Sequence, residues 1–167
     1  MDVPVPHPGV RVSVAIPNYN GMAHLPACLE SLRAQRGLSA MPEIVIVDDA
    51  SADASVSWLR ERHPDVIVHA HEHNRGFAVT ANDALRAASG DILFLLNNDT
   101  IVDPDCIARA MAFFASHPDA GWLACQLRLM QHPEILDGAG DVYTVAGFPR
   151  ARGKYAPAAA FDAPATV

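Results

Sequence analysis

Short apolar runs alternate with amphipathic stretches over most of this chain. The apolar runs are of strand length and lie at 12–16, 43–47, 66–68, 92–96 and 122–129. Between them, apolar residues recur every three or four positions, which predicts helices that begin near residues 25, 53, 78 and 104. Strands that alternate with helices predict an α/β fold, with a mostly parallel sheet and helices on both faces.

The fourth apolar run carries the clearest chemical signal. Its five residues, 92–96, are apolar enough to predict a strand buried on both faces, and polar residues follow at once: Asn97, Asn98, Asp99 and Thr100. Ligands of open parallel sheets bind at the carboxyl ends of the strands. A single carboxylate among amides there favours a divalent cation that carries phosphate oxygens.

The first two strands also end in polar segments. Pro17, Asn18 and Tyr19 open a loop that leads into a helix, although a plain Asn/Gly turn would explain the same residues. The loop has neither the GxGxxG nor the GxxxxGK[ST] pattern, which argues against a dinucleotide fold and a P-loop NTPase. Asp48 and Asp49 follow the second strand, where one can cap a helix and the other can accept hydrogen bonds from a base or a ribose.

The third strand leads into a histidine-rich segment. His69, His71 and His73 alternate, but three such neighbours on one strand rarely converge on a single zinc ion. A tight loop at 74–77 then enters the next helix. Its Arg75 is a candidate phosphate contact, and Asn82 lies one turn inside that helix.

The pattern fades beyond residue 130. A turn is predicted at 137–140, and a Pro/Ala-rich tail without periodicity runs from 156 to 167. These features predict a flexible N-terminus at 1–10, one ligand-binding domain at 11–130, and at 131–167 the start of an incomplete acceptor-side region or a loose tail. The chain is expected to be truncated.

Composition and charge limit the classes of binding partner and the cellular compartment that we expect. The chain has 167 residues, of which 50% are hydrophobic, enough for one core, and a net charge of -7 argues against a nucleic-acid partner. Its three cysteines are too few and too scattered for a disulfide framework or a zinc site. With no signal peptide or membrane span, a cytoplasmic location is expected, with room for peripheral docking at the inner face of the membrane through segments outside this chain.

Four ordered motifs resemble those of the inverting family 2 glycosyltransferases, GT-A fold enzymes that use nucleotide-diphosphate sugars. They are VAIPNYNG, IVIVDDAS, NRGFA followed by Asn82, and LLNNDT, and the resemblance spans residues 12–129. The motifs are most similar to the rhamnosyltransferase-like members that build bacterial cell-surface polysaccharides. The acceptor that this resemblance implies is a glycan or a lipid-linked glycan.

The resemblance also implies a role for each motif. The loop of Pro17, Asn18 and Tyr19, together with Asp48 and Asp49, would hold the nucleoside, with Asp49 at the base. The segment Asn74, Arg75, Gly76 and Phe77 would border the nucleotide and the diphosphate. Asp99 would bind Mg²⁺ or Mn²⁺, and Asn98 would lie near the ribose or the sugar.

Two departures from the family pattern qualify these roles. Asn97 replaces the first carboxylate of the family's Asp-x-Asp motif, so Asp99 is the only carboxylate in that triplet. The family's general base lies in a later Glu-Asp type motif. After Asp119 only four carboxylates follow, none in such a motif, and no base is assigned: Glu134, Asp137, Asp141 and Asp162.

Three rival functions remain to be weighed against the donor half of a glycosyltransferase. A non-catalytic nucleotide-sugar binding or interaction module would share the same donor site. A phospho-receiver domain needs an acidic pair after its first strand, where this chain has Pro17 and Asn18. A nucleotidyltransferase would carry a Gly-rich loop at that point.

Overall fold

The computed structural model describes residues 9–161. The chain forms two compact units that divide between Pro118 and Asp119. The predicted domain boundary near residue 130 stays a prediction. Asp162 and most of the predicted flexible N-terminus lie outside the described residues.

A sheet of four parallel strands forms the centre of the first unit. The strands are Val12–Asn18 (β1), Glu43–Asp48 (β2), Ile67–Ala70 (β3) and Ile92–Leu95 (β4). They are ordered β3-β2-β1-β4, and every neighbouring pair is parallel. The predicted α/β class with a mostly parallel sheet is therefore confirmed.

Four helices connect and cover the strands. They are Leu25–Arg33 (α1), Ser55–Arg62 (α2), Phe77–Ala87 (α3) and Cys106–Ser116 (α4). One face of the sheet packs into a large apolar cluster that includes the buried Leu29, Leu59 and Ile107 of α1, α2 and α4. The opposite face packs through Ala15 and Val47 against Ala84 of α3. Helices thus cover both faces, as the alternating pattern predicts.

Two helices begin later than predicted. Asp53 and Asp103 lie two and three positions before α2 and α4 and cap short turns there. Asp53 Oδ1 accepts the backbone N–H of Ser55 at 2.9 Å, and Asp103 Oδ1 accepts that of Asp105 at 3.1 Å. Both carboxylates still occupy the positive ends of their helices, where a negative charge is favourable.

β1 runs through Pro17 rather than stopping before it. Pairing with β4 ends at Ala15, whereas pairing with β2 continues to Asn18. Pro17 therefore lies where only one neighbouring strand is hydrogen-bonded, which a residue without an N–H tolerates. The longer strand carries Asn18 into the buried layer of the sheet.

The prediction that β4 is buried on both faces is wrong. Ile92 and Phe94 pack against the large cluster, but Leu93 and Leu95 are 45% and 47% exposed. β4 lies at the edge of the four-stranded sheet, and the small apolar cluster beneath α3 contains residues of β1 and β2 but none of β4. An apolar run therefore marked a strand correctly but overstated its burial.

The second unit contains more regular structure than the sequence predicted. Its strands are Leu127–Leu129 (β5), His132–Gly138 (β6), Asp141–Tyr143 (β7) and Pro149–Ala151 (β8). They form two separate antiparallel pairs, and a short 3-10 helix covers Ala158–Phe161. The expected strand at 122–129 is thus reduced to β5, and the expected turn at 137–140 begins inside β6. Tight turns between short strands gave no periodicity to detect.

None of the helices in the described part of the chain is long and apolar enough to cross a membrane.

Candidate functional site

The carboxyl ends of β1, β2, β3 and β4 lie along one edge of the parallel sheet. Each strand is followed there by one of the polar segments identified in the sequence. All four segments belong to the first unit. The fold brings residues distant in sequence into contact there, such as Asn18 and Asn98, which are eighty positions apart.

Asp48, at the end of β2, is a buried hydrogen-bond acceptor. It is 1% exposed. Its Oδ1 accepts the backbone N–H of Ser51 at 2.8 Å, and its Oδ2 accepts the Ser51 hydroxyl at 2.7 Å and the Asn18 side-chain amide at 2.6 Å. Because burying a carboxylate without partners is costly, these three bonds are what make the position tolerable.

Asn18 joins the ends of three strands. Its Nδ2 donates to Asp48 of β2, and its Oδ1 accepts from Nδ2 of Asn98, just beyond β4, at 2.7 Å. Gly21 packs directly against this pair of amides. A Cβ atom at Gly21 would lie 2.0 Å from Asn18 Oδ1 and 2.3 Å from Asn98 Nδ2.

A Gly21→Ala substitution is therefore expected to separate the Asn18 and Asn98 amides. We expect a loss of about 2–4 kcal/mol in the free energy of unfolding, because buried amides would lose partners and the added methyl group would overpack the site. Urea unfolding measures the loss. Gly121→Ala is the matched control, since no neighbouring atom lies within 4 Å of its Cβ position. Equal stability of the two variants would contradict the packing described above.

Asp49 anchors the loop that enters α3. Its Oδ1 accepts the backbone N–H of Arg75, and its Oδ2 accepts that of Gly76, both at 2.8 Å. Burial raises the pKa of Asp49, but hydrogen bonds from His71, from these two N–H groups and from Thr80 outweigh it and leave that pKa below its ordinary value. The carboxylate thus occupies the position at the start of α3 where a helix N-terminus attracts an anion.

His71 connects Asp49 to α3. Its Nδ1 lies 2.9 Å from Asp49 Oδ1, and its Nε2 lies 3.2 Å from Asp83 Oδ2. Asp83 also accepts from the guanidinium groups of Arg75 and Arg86, at 3.0 and 2.8 Å. Sequence analysis missed His71 and Asp83. The adjacency of Asp83 to Asn82 was the available signal.

The predicted site residues divide into a buried and an accessible group. The buried residues are Pro17, Asn18, Asp48 and Asp49. The residues that offer surface to a ligand are Tyr19, Asn74, Arg75, Gly76, Phe77, Asn82, Asn98 and Asp99. The buried group therefore shapes the edge of the sheet, while aromatic, cationic and carboxylate groups of the second group face outward from it.

Asp99 is the exposed carboxylate of the loop after β4. Behind this loop lies Cys28, whose Sγ is 4.0 Å from the carbonyl oxygen of Asn97. Burial, and then the negative charge of Asp99, raise the pKa of Cys28 to about 11. A raised pKa disfavours the thiolate, which is the form of a cysteine that acts as a nucleophile.

The donor set at this loop fits a cation that is completed by its substrate. Among residues 9–161, no three His, Cys, Asp or Glu side chains are grouped so that they could hold a metal ion, and this includes the three histidines near β3. Asp99 and Asn98 offer only oxygen and amide groups. Mg²⁺ is commonly bound by one or two carboxylates together with substrate phosphates, so a single exposed carboxylate suffices for such a site.

Comparison with known proteins identifies the class. The chain belongs to glycosyl transferase family 2, whose family model matches residues 13–129. The resemblance read from the four motifs is confirmed at the level of the family.

Several relatives show how far the match extends. An uncharacterized glycosyltransferase of Nostoc sp. is 32% identical over 132 residues, which is 77% of this chain but 38% of that protein. Among solved structures, S. aureus TarS 1–349 in complex with UDP has a TM-score of 0.59 at 27% identity, over 65% of this chain and 33% of that TarS 1–349 chain. The mannosyltransferase PcManGT from Pyrobaculum calidifontis, in complex with GDP-Man and Mn²⁺, has a TM-score of 0.58 at 29% identity, over 74% of this chain and 37% of PcManGT. The first unit therefore has the GT-A fold, and the chain matches 38% of the Nostoc protein and 33% and 37% of the two solved chains.

Proposed function

We propose that this chain binds a nucleotide-diphosphate sugar at the carboxyl edge of its sheet and forms the donor half of an inverting, metal-dependent glycosyltransferase. The observation that carries the proposal is the convergence at that edge of all four family motifs, in which Arg75, Asp99 and the aromatic side chains of Tyr19 and Phe77 are exposed. The UDP and GDP-Man complexes of the structural relatives support the ligand class.

Each accessible group has a chemical role in this proposal. The ring of Tyr19, 55% exposed, offers a stacking surface for a base, and Arg75 offers a cation to the diphosphate. Asp99 would hold Mg²⁺ or Mn²⁺, and Asn98 would lie near the ribose or the sugar. The bound cation would offset negative charge that develops on the diphosphate as the sugar leaves.

The buried residues act on this ligand through the backbone. Asp49 accepts hydrogen bonds from the N–H groups of Arg75 and Gly76 and thereby holds the loop in place before a ligand binds. A preorganised loop lowers the entropy cost of binding. The acceptor, a glycan or lipid-linked glycan of the cell surface, and the rhamnosyltransferase-like subgroup remain predictions from the sequence motifs.

Calorimetry with the 167-residue chain tests this function. We expect one of UDP-, GDP- or dTDP-sugars to bind, with an affinity that Mn²⁺ raises by about tenfold or more, since charge-assisted contacts to the diphosphate are added. Failure of all three donors to bind at millimolar concentration with Mn²⁺ would contradict the proposal. Release of free sugar or transfer to an acceptor identifies an enzyme, whereas binding without turnover identifies the non-catalytic module.

A further inference from the structure

We propose that the buried carboxylate of Asp48 determines which atom Asn98 presents beside Asp99. The link is a chain of hydrogen bonds that runs from Asp48 through Asn18 to Asn98 and crosses the ends of β2, β1 and β4. The inference rests on the proposed donor site, and it makes Asp48 and Asn18 positioning residues of that site.

The direction of these hydrogen bonds follows from which atoms can donate. The oxygens of a carboxylate accept hydrogen bonds, so Asn18 turns its Nδ2 toward Asp48, at 2.6 Å. Its Oδ1 must then point the other way. Since an amide oxygen also only accepts, Asn98 turns its own Nδ2 toward Asn18, at 2.7 Å.

Burial keeps this chain of hydrogen bonds in the direction described. Asn18 is 2% exposed, and both ends of its amide are used, so water cannot replace either partner. Ser51 gives Asp48 two further donors, which hold the carboxylate in one orientation. Gly21 leaves no room for the pair of amides to move apart toward that side.

The consequence appears at the other end of Asn98. With Nδ2 turned toward Asn18, Oδ1 points away from Asn18, and no hydrogen bond to this oxygen is made within the described residues. An amide oxygen can bind a hard cation or accept a hydrogen bond from a hydroxyl group, whereas an amide N–H₂ group can do neither. Asp48 thereby adds a neutral oxygen next to the single carboxylate of Asp99.

Exchanging the side chains at positions 48 and 98 should reverse the direction of the hydrogen bonds. In Asp48→Asn, the new amide can donate to Asn18 Oδ1, so that all three side chains turn over and Asn98 presents its N–H₂ group. In Asn98→Asp alone, Asn18 lies between two acceptors and has donors at only one end. In the double variant the reversed chain is satisfied again, and the second oxygen of the new carboxylate is free.

A double-mutant cycle over these four proteins tests the inference by thermal unfolding and by calorimetry with UDP and Mn²⁺. Asn98→Asp should raise the unfolding constant about tenfold in the natural background and leave it nearly unchanged in the Asp48→Asn background. Asp48→Asn should weaken Mn²⁺-dependent UDP binding about three- to tenfold, and the double variant should regain it. Asp119→Asn, an exposed exchange of the same kind, should alter neither.

If Asn98→Asp changed the unfolding constant equally in both backgrounds, the inference would be overturned. The added charge would then act in the same way whichever side chain lies at position 48. Unchanged UDP affinity of Asp48→Asn in the presence of Mn²⁺ would overturn it as well. If the natural protein binds no nucleotide, the proposed function fails and the role of the Asn98 oxygen fails with it. In that case the double-mutant cycle measured by unfolding still decides the direction of the hydrogen bonds.

Discussion

Asp99→Ala is expected to abolish the Mn²⁺-dependent part of nucleotide-sugar binding. Asp99 is the only carboxylate of the NND triplet. No second carboxylate of the triplet can therefore replace it. We expect the affinity with Mn²⁺ to fall about tenfold or more, to the value without metal, which titration calorimetry with UDP or GDP measures.

The control for this experiment is the same nucleotide without metal. Binding of the nucleoside part should persist in Asp99→Ala, since Tyr19 and the loop that Asp49 anchors are untouched. Asp119→Ala, which removes an exposed carboxylate elsewhere, should keep its response to Mn²⁺. An unchanged affinity of Asp99→Ala in the presence of Mn²⁺ would remove Asp99 from the metal site.

Asp49→Ala is expected to weaken nucleotide binding even without metal and to destabilise the first unit. The substitution leaves the N–H group of Arg75 and one nitrogen of His71 without this partner. The N–H group of Gly76 keeps only its longer bond to Asn74 Oδ1, at 3.2 Å. We expect a loss of about 2–4 kcal/mol in unfolding free energy, and UDP affinity should fall about tenfold as the loop loosens. Asp65→Asn is the control, since its pairing with Arg33 is on the surface and contributes at most about 1 kcal/mol.

Acid titration gives a second readout for Asp49. Burial raises the pKa of Asp49, but its hydrogen bonds lower it to a net value below the ordinary value of 3.8, so the carboxylate stabilises the folded state above that pH. This contribution is lost as the pH falls below 3.8 toward the lower pKa of the folded protein. Asp49→Ala should therefore lose less stability than the natural protein on acidification below this point. Parallel acid curves, together with equal UDP binding, would contradict the anchoring role.

The sequence predicted the order of the elements in the first unit because each strand and helix there carries its own period. It predicted the edge of the sheet at which the polar motifs meet, since parallel strands place their carboxyl ends together. It did not predict that Leu93 and Leu95 are exposed, because an apolar run has the same appearance in a central strand and in an edge strand.

The site was predicted less completely than the fold. Asp48 and Asp49 were recognised as a pair, but adjacent residues of a strand end point in different directions, and only the structure shows that one holds Asn18 and the other the loop before α3. His71 was one of three similar histidines, and nothing local distinguishes it. Asp83 acts through contacts with His71 and Arg75, which are twelve and eight positions away.

The division between buried and accessible residues at the sheet edge bears on how such a protein could acquire a new donor. Tyr19, Asn74, Phe77 and Asn82 are exposed, so their exchange would cost little folding energy. The framework that holds them depends instead on buried groups such as Asp49. Libraries aimed at altered sugar-nucleotide selectivity should therefore randomise the four exposed positions and leave the buried ones fixed, because the scaffold can then tolerate many combinations without loss of soluble protein.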